Sequence, residues 1–552
     1  MGEDDRAIWT RNTRRLAVAA FALSGTAALV YEVVWTRELT LVFGSTVYAV
    51  SMMLMTFMSG LSLGGWKGGQ WADKTSSLLM LYGKLELGIG VFAAASVPLM
   101  RLLPKAYFAI FNSVTPSFGI MMAVQILFSF TFMIVPTFLM GATFPVVAKL
   151  FTRSRDTHGV DVGKVYSINT LGSVLGSMAA GFILIPTVGV RATTLIAAAL
   201  NVGVAFAMMA RSRSASAKLW MAACNVALVV VVASGFLGYH HNLSGFYEHF
   251  ASAAENAVWE HQSSAVFYKE DVAGDVAVVK TGDEFGLMDG GLIEGSSALA
   301  DRSTTTLLAV LPAEVAKSHN TALTIGLGTG YTAQTMLTYP FKTVDTIEIN
   351  PSIVTASHYF VGDSLSKDGR SRIHVTDGRN YLAATRQRFD VITSEPSWPL
   401  STHVSHLFTK EFFELERSRL TPGGVCCQWM PQYLLTPEDY QMMYKTFKSA
   451  FPNMYVWVND PQAPGGGDFM FIGINGDAKL DQNAITESAR RHGLPTAEFY
   501  PYEPNELEAQ ALSDPSIPLN TDDRPLLEFR VARNMPGYIR AARGDASAVV
   551  QY

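Results

Sequence analysis

The chain has 552 residues, 49% of them hydrophobic and 16% charged, with a formal net charge of −5 at pH 7. That length holds roughly two or three domains. The apolar excess of the first ~240 residues excludes a purely soluble enzyme, and mild acidity without a long basic run excludes nucleic acid as a partner. Three cysteines provide no disulfide framework; Cys426 and Cys427 are neighbours in a β-rich run and read as core residues on opposite faces.

Residues 1–242 read as a multi-pass helical membrane bundle of about seven spans, each approaching the ~20 apolar residues that a hydrocarbon core requires. Their centres fall near Ala27, Met55, Ile89, Phe130, Met178, Ala198 and Ala227. The first is not a cleaved signal, because further spans follow and no small-residue cleavage site precedes polar sequence. Glu32 sits near the end of the first span, where an acid is costly unless paired or wet; it is a candidate polar site in the bundle, or lies at the interface with Arg37 and Glu38. Gly64 to Lys74 is similar to the short loop between the second and third spans of major-facilitator transporters. Seven spans are too few for such a transporter, so transport is not inferred. Leu102–Phe118, interrupted by Pro104, Lys105 and Pro116, reads as an interfacial helix. Gly172 and Gly176, four residues apart, with Gly181 beyond, read as helix-packing positions.

Arg6, Arg11, Arg14 and Arg15 precede the first span, and further Lys and Arg follow the second, fourth and sixth. This places the N-terminus in the cytoplasm. Seven spans then put the following domain outside, in conflict with any cofactor or substrate that is made in the cytoplasm. The sequence leaves that conflict, and so the side of the C-terminal domain, open.

Residues 243–300 form a polar connector and then a β-meander, with short strands at Ala265–Tyr268, Val276–Val279 and Phe285–Met288 split by Gly and Asp turns. Residues 301–535 read as an α/β Rossmann-like domain, with 536–552 a tail. A helix over Ser303–Ala316, broken or kinked at Pro312, leads into the strand Ala322–Ile325. Gly326, Gly328 and Gly330 follow at once, suiting a backbone that passes close to a ligand with positive φ. The second strand ends on Glu348, 22 residues after the first glycine, near the ~20 expected of an acid that binds ribose hydroxyls. Residue 331 is Tyr, so the third glycine of a dinucleotide site is missing; this favours an S-adenosyl cofactor over NAD or FAD. Asp377 and Gly378 end the third unit, with Asp377 placed to accept from an adenine amino group. The fourth strand ends in Ser394-Glu395-Pro396-Ser397. Further on, Thr436 and Pro437 mark a helix start, and Phe469–Gly473 a late strand.

The strings Ser394-Glu395-Pro396-Ser397-Trp398-Pro399, Leu407 to Glu414 and Pro422 to Trp429 resemble the spermidine synthase (polyamine aminopropyltransferase) family. With Tyr31 to Arg37 and Asn520 to Pro525, they resemble its bacterial membrane-fused branch. The resemblance implies a Rossmann-like (class I methyltransferase-type) domain behind a small β domain. It implies aminopropyl transfer from decarboxylated S-adenosylmethionine to a small-molecule amine, at a bacterial inner membrane, with the lipid bilayer as partner and a homodimer among the admissible assemblies. Glu395 takes the place of the family's base-assisting Asp and is the candidate catalytic residue. Trp398 stands where the family has a second Asp that binds the cationic polyamine. Asp289-Gly290 keeps the family's Asp-Gly, but Ile293 replaces its Gln. Asp289, Ser394, Trp398 and Gln428 are the candidate acceptor pocket, whose acceptor half is thus rebuilt. Two alternatives stay open: methyl transfer from intact S-adenosylmethionine, and a non-catalytic ligand-binding or regulatory domain. No metal is expected: His403-x-x-His406 lacks a Cys partner and an HExxH context.

Overall fold

The structure, a computed structural model, describes residues 11–43, 46–113, 117–152, 158–236, 263–271, 274–399, 404–459, 467–477, 479–494 and 499–542. The chain divides into two compact units, the second beginning at Leu243 apart from two short segments of the first half.

The first unit is helical. Its helices are α1 (Arg11–Phe43), α2 (Val47–Lys74), α3 (Leu78–Ser113), α4 (Phe118–Phe151), α5 (His158–Ala179), α6 (Ile185–Met209) and α7 (Ala217–Phe236), with one π-turn between α5 and α6. Among the described residues, five helices are long and apolar enough to cross a membrane; a shorter apolar helix covers Ala217–Ala233. The expected centres Met178 and Ala198 share one of the five, the run His158–Met209, which breaks at Gly189 where φ is 80°. Two expectations are corrected. Residues 102–113 are no separate interfacial element but continue α3. Gly64 to Lys74 is no loop but the last turns of α2. The reason in the second case is packing: a Cβ on Gly64 would lie 2.0 Å from the Phe138 carbonyl oxygen, and one on Gly68 2.6 Å from Ala142. Glycines there let α2 and α4 touch backbone to backbone. The same holds for Gly172 and Gly176, whose Cβ atoms would meet the carbonyl oxygens of Ala22 and Thr26 at 2.1 Å, but not for Gly181, which faces open space.

The second unit opens with an antiparallel sheet of four strands in sequential order, β1 (Ser263–Glu270), β2 (Asp275–Thr281), β3 (Glu284–Asp289) and β4 (Leu292–Ser296). Helix α8 (Leu299–Val315) follows and is buried without a break from Ser303 to Ala313. Pro312 does not break it: the helix runs on to Val315, and the Ala316 amide reaches the Pro312 carbonyl at 3.0 Å.

An eight-stranded mixed sheet then forms in the order β12-β10-β11-β9-β8-β5-β6-β7. Its parallel part comprises β5 (Thr321–Ile325), β6 (Thr343–Glu348), β7 (Ser371–Val375), β8 (Phe389–Ser394) and β9 (Leu420–Pro431). Strands β10 (Met454–Asn459), β11 (Asp468–Ile474) and β12 (Phe499–Tyr502) complete the edge antiparallel. β5, β8 and β9 are buried along most of their length, as strands covered on both faces must be. The order runs outward from β5 in both directions, through β6 on one side and β8 on the other. This creates a switch point at the carboxyl ends of β5 and β8, where an open α/β sheet leaves a crevice for a ligand.

Candidate active site

The site is built at that switch point. Gly326, Gly328 and Gly330 all have positive φ, at 90°, 51° and 89°. Each serves a different need. A Cβ on Gly326 would lie 2.3 Å from the Glu395 carbonyl oxygen, so the glycine lets the ends of β5 and β8 approach. The Glu395 amide, in turn, donates to the Ile325 carbonyl at 2.9 Å. A Cβ on Gly330 would press on Val361, whereas one on Gly328 would meet nothing within 4 Å. Gly328 therefore borders the open side of the turn.

Glu348, buried at the end of β6, holds the turn in shape. Its two oxygens accept from the amides of Leu327 (3.1 Å) and Asn350 (2.8 Å). Burial pushes its carboxyl up, and these amide bonds pull it back. The amides of Gly328 and Ile349 also face this carboxylate, so the whole β5–β6 end of the site is organised around it. Asp377 caps the next helix, Gly378–Ala384, accepting from the Asn380 amide at 2.7 Å; its other oxygen stands 3.7 Å from His406 Nε2. Gly378 is a packing position, since a Cβ there would meet Ile325 Cγ2 at 2.5 Å. His403 lies outside the described residues, and among the described residues no cluster suited to a metal occurs.

Glu395 leaves β8 directly beside the turn. The Thr332 hydroxyl donates to its Oε2 at 2.7 Å. Burial, then the charges of Asp468, Asp301 and Glu294, push its carboxyl up to about 7. Glu294, on β4, accepts from Ser397 at 2.5 Å and is likewise pushed to about 7, first by burial. Asp301, at the start of α8, is held by Ser296 and raised by burial. Asp468, at the start of β11, accepts from Thr304 (2.6 Å) and Trp429 (3.0 Å). Four acids from four separate elements thus converge on one place, and like charges in a recessed site share protons. Sequence reasoning singled out only Glu395. Glu294, Asp301 and Asp468 are brought in by the β-meander, by α8 and by the antiparallel edge, none of which carries a local motif.

The acceptor-pocket candidates divide. Ser394 and Gln428 sit opposite each other in the β8–β9 register, both fully buried. The Ser394 hydroxyl and Gln428 Oε1 have no hydrogen-bond partner among the described residues. Orphaned polar atoms at adjacent strand ends are expected where a ligand supplies the partner. Trp398 is half-buried against the core of this unit. Asp289 lies near Asn350: a Cβ on Gly274 would meet its carboxylate oxygen at 2.5 Å and the Asn350 side-chain nitrogen at 3.6 Å.

Comparisons with known proteins agree on one domain. Residues 302–482 match the family model described as "Spermine/spermidine synthase domain". The Mycobacterium tuberculosis (strain H37Rv) polyamine aminopropyltransferase is 23% identical over 329 residues, 56% of this chain and 60% of that protein. The chain therefore spans about three fifths of the length of that curated relative. The Streptomyces coelicolor polyamine aminopropyltransferase 2 is 25% identical over 74% of this chain and 73% of its own. The Aquifex aeolicus polyamine aminopropyltransferase 2 is 20% identical over 92% and 96%. Among solved structures, the spermidine synthase from Thermotoga maritima is similar at 17% identity, covering 46% of this chain and 84% of that one, with a TM-score of 0.37.

Proposed function

From the premise that residues 302–482 form a spermine/spermidine synthase domain, we propose that the chain transfers an aminopropyl group from decarboxylated S-adenosylmethionine to an amine acceptor. We propose further that its helical unit holds this activity at a membrane, as in the membrane-fused branch that the sequence resembles. The observation that carries the reading is Glu395, pinned beside the Gly326–Gly330 turn with a carboxyl at about 7. A general base works best with a pKa near the working pH, and an amine must lose a proton to attack.

The residues fit the donor. Gly328 leaves the turn open for it, Glu348 stands at the end of β6 beside that turn for its ribose, and Asp377 has an oxygen beside His406 for its adenine. The donor supplies a sulfonium-activated carbon; the chain supplies everything else. Glu395 takes the acceptor's proton on its carboxylate, and Thr332 orients that carboxylate. Glu294, Asp301 and Asp468 make the pocket negative, which suits a cationic amine. Trp398 supplies an apolar wall where the family has an acid, so the favoured acceptor carries less charge at that end than a diamine.

The acids also bear on the alternative of methyl transfer. Intact S-adenosylmethionine carries a carboxylate that its decarboxylated form lacks, and burying a like charge among Glu294, Glu395 and Asp301 is unfavourable. Calorimetric titration of the full chain with both donors tests this. The reading expects tighter binding of the decarboxylated form. Preference for the intact form shifts the assignment to a methyltransferase.

A further inference from the structure

The helical unit contains a second site that the transferase reading does not use. Glu86, on α3, is fully buried. A Ser24 hydroxyl from α1 donates to its Oε1 at 2.5 Å, and an Asn201 amide from α6 donates to its Oε2 at 2.5 Å. Asn201 is itself oriented by Tyr31, whose hydroxyl donates to Asn201 Oδ1 at 2.7 Å. Tyr31 stacks on Trp35 with ring centroids 5.0 Å apart, and Trp35 Nε1 donates to Ser96 at 3.2 Å. Three helices thus meet on one carboxyl through neutral donors.

The charges around it are placed elsewhere. The titratable groups facing Glu86 are Tyr31 from α1 and Tyr82 from α3 itself. Lys84, two residues away, lies over the Trp220 ring. Asp161 of α5 pairs with Arg14 of α1. Cys224 of α7 turns to Met209. Arg191 of α6 is ten residues from Asn201, about 15 Å along the helix. Among the described residues no cation pairs with Glu86. An isolated carboxylate in such a place is expensive, and a buried acid normally neutralises or is paired. Here the acid is held by neutral groups alone, an amide that donates and a hydroxyl that can donate or accept.

We propose that Glu86 is a proton-binding site of the helical unit, which takes up and releases one proton as Ser24 reverses its hydroxyl. The step is Glu86 carboxylate plus one hydronium giving the carboxylic acid plus water, so charge and atoms balance. In the ionised form Ser24 and Asn201 both donate. In the protonated form the new O–H donates to Ser24 Oγ, whose hydrogen turns to another acceptor. Asn201, fixed by Tyr31, cannot reverse without breaking that bond, so it sets the asymmetry of the site. A proton fits because it needs no coordination shell and both oxygens already have direct neutral partners.

Infrared difference spectra of the full-length protein in detergent, recorded across pH, test this independently of any transferase activity. Wild type minus Glu86→Gln is expected to show one carboxylic-acid carbonyl band that disappears reversibly as pH rises. Asn201→Ala keeps the carboxyl but removes a donor to its charged form, and is expected to raise the midpoint by about one to two pH units. It also keeps the test decisive if Glu86→Gln fails to fold. A Glu86 band that does not titrate over the stable pH range overturns the proposal and makes the cluster a fixed hydrogen-bonded hub. A midpoint unmoved by Asn201→Ala overturns it too, as does one that follows sodium concentration at constant pH.

Discussion

Replacing Gly326 by Ala should disable turnover through the position of Glu395 and not through the donor. The added Cβ would stand 2.3 Å from the Glu395 carbonyl oxygen, where ordinary contact begins at 3.4 Å, so the peptide must retreat by about 1 Å (3.4 less 2.3). A 1 Å misplacement of a reacting group costs on the order of 10²-fold in rate. The same residue would carry an alanine at φ 90°, a strain of about 1–3 kcal/mol, and would loosen the Glu395 to Ile325 bond, worth about 0.5–1.5 kcal/mol. Against a typical stability of about 5–15 kcal/mol the domain stays folded. The assay is steady-state release of the thioether product, with thermal unfolding as the check on folding. Gly328→Ala is the matched control, with similar backbone strain but no atom within 4 Å of its Cβ. It should raise the donor KM and leave kcat largely intact. If folded Gly326→Ala keeps the wild-type kcat, the placement of Glu395 does not govern turnover and the reasoning fails.

Other outcomes follow from the same geometry. The carboxyl at about 7 makes Glu395 active as its anion, so kcat/KM should fall as pH drops below about 7, and a pH–rate profile flat through that region contradicts a base there. Stability has the opposite sign: folding raises this carboxyl from 4.5 to about 7, so the folded state binds the proton more tightly and loses stability as pH rises across that window. Denaturant titrations should show that slope shrinking in Glu395→Gln. Trp398→Asp, which restores the family's second acid, should lower the KM for diamines relative to monoamines; unchanged selectivity would remove Trp398 from the acceptor pocket. Asp377→Ala should cost about 1 kcal/mol of stability through the lost cap of the helix Gly378–Ala384, measured by chemical denaturation. It should also weaken adenosyl-ligand binding.

The cassette was legible because its chemistry is local. Glycines after a strand, an acid at the next strand end and a Thr-Pro helix start each follow from a few neighbouring residues, and the structure has the turn, Glu348 and the Thr436 capping box in those places. The acids that complete the site were not legible. Glu294, Asp301 and Asp468 are ordinary surface-type residues in sequence, and only strand order and the docking of α8 bring them to Glu395. The helical half shows the same divide. Glu32 drew attention by its place in a span but is half-buried, whereas Glu86, one acid among leucines, is the fully enclosed one. Pro104 and Pro312 looked like boundaries because each lacks an amide, yet one missing hydrogen bond did not end either helix.

The most direct measurement is transfer itself: full-length protein with decarboxylated S-adenosylmethionine and a panel of mono- and diamines, products identified by mass spectrometry, beside Glu395→Gln. The account predicts an aminopropylated amine and a stoichiometric thioether from the wild type, and a rate about 10²–10⁴-fold lower from the variant. Equal rates from both proteins, or donor binding with no transfer to any amine, would contradict it.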